Sequence, residues 1–257
     1  MKSLTLISLL LLSSCSNNTP LLQAVGAEKE YSEVTTANLY DRYGVVNSPL
    51  LSTFLDRVSK RLSSALFPAA YSFASSSAYP GAASSIETDT NWQFFILNSR
   101  HPSAFSVGNG AIFITGGLLE SAHTEAEIAA VISREMAHNA LGHITQSFVA
   151  TDTDAKQPQG IRLTGDQEIS ADLFALEILR SAHYNPEALV SAISLYSRPI
   201  DRKVSKEYEN FLHERAGIIA SMLRSMPSRM TSTNSTREFA KLQHMLSQEK
   251  LTSAPLP

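Results

Sequence analysis

The stretch from Thr124 to Ile144, T-E-A-E-I-A-A-V-I-S-R-E-M-A-H-N-A-L-G-H-I, constrains the fold more than any other part of the chain. Ile128, Val131, Ile132, Ala140, Leu141 and Ile144 recur at helical spacing, so they share one face. Thr124 followed three residues later by Glu127 is a capping-box start. The stretch predicts a single amphipathic helix whose apolar face must be buried against another element. In its middle stands Arg134-Glu135-Met136-Ala137-His138.

The rest of the chain supplies candidate layers. After Asn47-Ser48-Pro49, residues Leu51, Phe54, Leu55, Val58 and Leu62 follow i, i+3, i+4 spacing, which places a helix within Tyr31 to Leu66. Phe67 to Asp89 is rich in Ser, Ala, Pro and Gly and predicts a surface loop. Trp92 to Leu97 is aromatic and β-branched, a buried strand. Ala111 to Thr115 is a second strand behind Val107-Gly108-Asn109-Gly110, and the Asn-Gly turn predicts an antiparallel hairpin. Thr151 to Thr164 reads as a loop. Helices follow over Glu168 to Ala182, Glu187 to Tyr196, Val204 to Leu223 and Thr236 to Leu246. Met222, Met226, Met230 and Met245 in or near them read as core packing. The fold class is α+β: one mostly helical domain over residues 31–250, with a small antiparallel hairpin beside the central helix and a frayed tail at 251–257.

Composition adds what the pattern leaves open. With 257 residues, 43% of them hydrophobic, the chain can bury one sizeable core. A formal net charge of -3 gives no footprint for nucleic acid. The single cysteine, Cys15, rules out an internal disulfide. Lys2, the apolar run Leu4 to Leu12 and the small residues before Cys15 make residues 1–14 a secretory signal, too short to span a membrane. Leu12-Ser13-Ser14-Cys15 resembles a bacterial lipobox, which implies a lipidated Cys15, a tether over 15–30 and an outer-membrane lipoprotein facing the periplasm. Ser16 fits that sorting pattern, and a simple cleaved signal is the alternative.

The chemistry lies at the centre of the helix. R-E-M-A-H is an H-E-x-x-H motif with arginine in place of the first histidine. In an intact motif, two histidines one turn apart chelate zinc, and the glutamate is general base for the metal-bound water. Glu135 and His138 hold the base and second-ligand positions. Downstream, Glu168 and Asp172 lie one helical turn apart. Glu168 can be a metal ligand, and Asp172 can orient a ligand histidine. Arg134 has no lone pair to give and repels a metal. His143, five residues past His138, sits about 140° around an unbroken helix and faces elsewhere. His123, on the face of Arg134, is ~16 Å away along the axis. His101, His183, His213 and His244 read as surface or capping residues, His183 at a helix C-terminus.

These motifs, in this order, resemble the HtpX-like and CAAX-prenyl-protease group of zinc metallopeptidases, family forty-eight, and most of all its bacterial periplasmic lipoprotein members. The likeness runs from about Leu39 to Leu246. Ser103 to Gly110 is similar to the family's N-A-F-A-x-P-G-G, and Thr115 to Leu119 to its T-x-G-L-L. Glu168-x-x-Ala171-Asp172 with Tyr184-Asn185-Pro186 is similar to E-x-E-A-D and G-Y-D-P. The resemblance implies a zincin-like peptidase fold, a zinc cofactor held by His138 and Glu168, a polypeptide substrate or client, and a role in envelope protein quality control. Departures at Arg134, Ser103, Asn109 and Met226 point away from zinc chemistry.

Three readings follow. The first is a zinc-free member that holds extended envelope proteins, with the Ala111–Thr115 hairpin edge pairing with the client and Arg134 forked onto Glu168 or Asp172. The second is an active zinc endopeptidase with an unusual ligand set and Glu135 as base. The third is a structural lipoprotein.

Overall fold

The structure, a computed structural model, describes residues 19–75, 86–88, 90–149, 163–196, 206–225 and 232–248. The signal segment, Cys15, most of the predicted 151–164 loop, Met226, Met230 and the 251–257 tail lie outside those residues.

Two long helices come first, α1 (Thr19–Tyr43) and α2 (Pro49–Ala74). Ser48 stands at the N-cap of α2 and Pro49 in its first turn, where a missing N–H is harmless. Leu51, Phe54, Leu55, Val58 and Leu62 are buried as their spacing predicts. The same stripe continues through Leu66, Ala69, Ala70 and Phe73. The loop expected from Phe67 is therefore helix as far as Ala74, with Pro68 accommodated inside it. A buried apolar stripe outweighs the small-residue composition that suggested a loop. The expected tether is likewise helical from Thr19, and Ser32 of α1 donates from Oγ to the Gly108 carbonyl at 3.2 Å.

Three strands follow, β1 (Gln93–Leu97), β2 (Ala104–Gly108) and β3 (Ala111–Thr115), in the order β1-β3-β2. The hairpin forms across Asn109 and Gly110, whose φ of 49° and 74° match the positive values a two-residue turn of this kind requires. Its first arm is β2, however, and Trp92–Leu97 instead pairs parallel with β3, Gln93 opposite Ala111 through Leu97 opposite Thr115. A two-residue turn joins only the segments that abut it. The abutting segment carries Ser106 and Gly108, weak strand formers that read as turn. β3 is the middle strand, so both of its sides are taken. Phe95, Phe105 and Phe113 stack on the face toward α1, while Ile96, Ile112 and Ile114 enter the main core.

The remaining elements are α3 (Gly116–Ser121), α4 (Glu125–Ala140), α5 (His143–Val149), α6 (Gly165–Ser181), α7 (Ala188–Tyr196), α8 (Lys206–Ser225) and α9 (Arg237–Gln248). The Thr124/Glu127 capping box starts α4 as its sequence predicts. α4 is buried nearly all round, packed against α6, α7 and β2. It stops at Ala140 and does not run on to Ile144. Gly142 adopts φ 68°, the left-handed conformation that ends helices, and α5 departs in a new direction. Met222 and Met245 pack against the core as expected. His183, at φ 57°, follows the C-cap of α6, and the Tyr184 N–H reaches back to the Leu179 carbonyl at 2.9 Å. Among the described residues no helix is long and apolar enough to cross a membrane.

Candidate active site

The site forms where the middle of α4 meets the first half of α6 and a face of α8. Arg134 is 5% exposed and divides its guanidinium among three carboxyls. Nε donates to Asp172 Oδ1 at 3.1 Å, Nη1 to Glu135 Oε1 at 3.0 Å, and Nη2 to Glu168 Oε2. The fork expected onto Glu168 or Asp172 engages both. A second arginine completes the cluster. Arg215 of α8, 3% exposed, donates to Asp172 from Nε at 2.7 Å and Nη2 at 2.8 Å, and its Nη1 lies 3.1 Å from Glu168 Oε2. The hydrogen bonds of Asp172 thus go to two guanidinium groups, whereas sequence reasoning gave it a histidine to orient.

Glu135 is enclosed from both sides. Ser106 N–H of β2 donates to its Oε2 at 3.1 Å, and Arg134 holds the other oxygen. Burial pushes its pKa up to about 7, helped by the neighbouring Glu168 charge and opposed by Arg134 and the Ser106 N–H. The charge count agrees: two guanidinium groups face three carboxyls, so a proton on Glu135 leaves the cluster neutral. Asn139 ties the strand to the helix, donating to Ser106 Oγ and to the Glu135 carbonyl.

His138 is fully buried, and its Nδ1 lies 3.0 Å from Nδ1 of His143. The helix breaks at Gly142, and His143 at the start of α5 enters the site that helical extrapolation excludes it from. One Nδ1 must donate and the other accept, which requires the accepting ring to be neutral. Burial and Arg134 depress both, with His143 at about 4. Ser170 Oγ is 3.4 Å from His143 Nε2. His138 Nε2 is buried with no partner among the described residues.

A zinc ion requires at least three converging lone pairs. The orphaned His138 Nε2 suits such a role. The other positions do not: the first-ligand position holds a guanidinium, and Glu168 is committed to Arg134 and Arg215. Among the described residues no three His, Cys, Asp or Glu side chains are grouped to hold a metal ion. The residues present do not fit the metal.

Glu135 and His138 on a buried helix beneath a small sheet, crossed by a helix bearing Glu168 and Asp172, define the scaffold of a metallopeptidase-like protein. Residues 76–159 match Peptidase family M48. Over those residues the chain is similar to the metallopeptidases of that family. It is 25% identical over 124 residues to a protein of Vibrio cholerae serotype O1 described as "Putative beta-barrel assembly-enhancing protease". That match covers 48% of this chain and spans 22% of the relative's length.

Sequence reasoning missed two members of the site. Arg215 had a legible signal, because it shares a helical stripe with Leu212, Ile219 and Met222, and an arginine on an apolar stripe needs buried partners. His143 had one too: Gly142 directly before it is a helix-stop residue.

Proposed function

We propose that this chain is a zinc-free peptidase-family lipoprotein of the cell envelope that holds extended polypeptides without cutting them. The observation that carries this reading is Arg134, whose guanidinium occupies the first-ligand position and binds Glu135, Glu168 and Asp172. The name of the Vibrio cholerae relative supports unfolded β-barrel polypeptides as the client class. Cys15 is the anchor that would keep the chain at the outer membrane facing the periplasm.

Capture by strand addition needs a sheet edge. β3 is central, and β2 has its Ser106 N–H engaged by Glu135. The outer edge of β1 is better suited. There Val46 N–H donates to the Ile96 carbonyl at 2.8 Å and Asn98 N–H to the Gly44 carbonyl at 3.1 Å. That short ladder ends as α2 begins, and Phe94 is the next rung on the same edge. A cleft of about 430 Å³ lies alongside, lined by residues including Val45, Val46, Leu55 and Phe94. A client strand would extend the ladder and place alternate apolar side chains in this cleft.

The test is a photo-crosslinker at Val45, 43% exposed, against one at Glu214 on α8, with an unfolded β-barrel protein as client. Adducts at position 45 alone, with the client left intact, are expected. Cleavage of the client by the wild-type chain would favour the active-endopeptidase reading, with Glu135 as base. Equal adducts at both positions would remove the β1 edge as the binding site.

A further inference from the structure

We propose that Arg134 and Arg215 together take the electrostatic place of a bound dication, clamping α4, α6 and α8 with two guanidinium groups where the family's scaffold holds zinc. The inference rests on the zinc-free reading above and adds what fills the site. Two guanidinium groups carry the two positive charges a zinc ion brings. The carboxyls they bind, Glu135, Glu168 and Asp172, stand at the positions of base, ligand and outer partner in the motif.

The geometry supports a joint role. Arg134 reaches from α4 with a different nitrogen on each carboxyl. Arg215 approaches from α8 and grips Asp172 with Nε and Nη2 while Nη1 meets Glu168. Planar, multi-donor heads can span several carboxyls at once, as a point charge such as lysine cannot. Burial argues the same way. Arg215 is 3% exposed and Asp172 1% exposed, and a buried arginine is tolerated only when its charge and donors are matched. Arg215 also brings α8 into the cluster, an element the H-E-x-x-H and E-x-x-x-D pattern does not require. A metal and Arg134 would then exclude one another, since both need the same carboxylates and carry the same sign of charge.

The charge count makes variants distinguishable. Arg134→His removes one positive charge and supplies an imidazole beside His138 and Glu168, so the site gains a ligand and a charge deficit together. Arg134→Ala creates the deficit without the ligand. The experiment follows thermal melting and zinc content of the full chain, in EDTA and then with added zinc. The wild type should carry substoichiometric zinc, and its melting temperature should respond to neither addition. Arg134→His should melt lower in EDTA, bind near-stoichiometric zinc, and gain about 10 °C when zinc exceeds its Kd a thousandfold. Arg134→Ala should melt lower with no recovery in zinc. If that variant fails to fold, Arg215→Lys replaces it and should lower the melting temperature in EDTA and in zinc alike.

Near-stoichiometric zinc in the wild type, with melting that EDTA lowers, would overturn the proposal. So would an Arg215→Lys variant that melts like the wild type. These results separate from the client reading. A wild type that holds zinc yet captures clients intact defeats only the charge replacement, and a metal-free wild type that captures nothing defeats only client binding.

Discussion

At the scale of single residues, the site is governed by an imbalance of one charge. Glu135 is the carboxyl with the least compensation: one guanidinium nitrogen and one backbone N–H in a buried position. Its folded pKa, about 7, lies above the ordinary value of 4.5. A carboxyl raised in this way stabilises the fold fully below about 4.5 and loses that contribution as pH rises through 7. His143 has the opposite sense. Its folded pKa of about 4 lies below 6.5, so acidification through that interval favours the unfolded chain. The two effects overlap in the same pH window and oppose each other, so the wild-type profile alone would mislead. Glu135→Gln isolates one of them, since an amide oxygen can still accept from Arg134 or Ser106. The difference in unfolding free energy between this variant and the wild type should shift by ~2–3 kcal/mol in the variant's favour between pH 4.5 and pH 8. Urea denaturation at the two pH values measures it, and a pH-independent difference would mean that Glu135 ionises in the fold as it does in water.

At the scale of elements, the break between α4 and α5 decides what the site contains. Gly142 has room for a methyl group, since a Cβ there would meet Gln146 Nε2 at 3.9 Å as its nearest neighbour, but its φ is 68°. Gly142→Ala should therefore destabilise by ~1 kcal/mol through backbone strain alone. It should also loosen the His138–His143 contact, read as a changed imidazole 15N shift pattern. A variant as stable as the wild type with unchanged imidazole signals would show that the turn does not position His143. The same break marks how far the fold is legible in sequence. Elements with a long apolar period and a capping signal were readable, α2 with its start and its buried face and α4 with its start, although α4 is buried nearly all round and not on the one apolar face its period predicts. Their ends were not, because a stop depends on one residue's dihedral or on a stripe that outlasts its composition, as at Gly142 and Phe67. β2 escaped notice because pairing with β3 compensates for the weak propensity of Ser106 and Gly108. The ion pairs of Arg134 could be anticipated because its partners share a helix face one turn apart. Arg215 lies in a different helix, and only tertiary packing brings it to Asp172.

At the scale of the whole molecule, α4 is fastened by buried charge at its N-terminal end and at its middle, and the two points differ in what they join. At the N-terminal end Glu125, fully buried, accepts Arg57 Nη1 at 2.8 Å and Nη2 at 2.9 Å from α2, Tyr184 Oη at 2.8 Å, and Thr236 Oγ1 ahead of α9. Burial opposes the Glu125 charge, but the hydrogen bonds from Arg57, Thr236 and Tyr184 outweigh it and lower its pKa. Arg61 covers the Tyr184 ring at 4.0 Å and donates to the Ala182 and His183 carbonyls, which fixes the turn that presents the tyrosine. At the middle of the helix stands the Arg134–Arg215 cluster, nine residues and ~13 Å farther along. That spacing exceeds the range over which substitutions without shared partners couple. Tyr184→Phe removes one hydrogen bond to a buried carboxylate and should cost ~1.5 kcal/mol. Arg215→Lys cannot reproduce the fork and should cost ~2 kcal/mol. The double variant should lose the sum of the two within ~0.5 kcal/mol, measured by urea denaturation of all four proteins. Coupling well above that would mean α4 transmits strain between the two points and that the two networks form one unit. Additivity would mean the cluster can be altered, even by a histidine at position 134, while the rest of the fold is held by the Glu125 network.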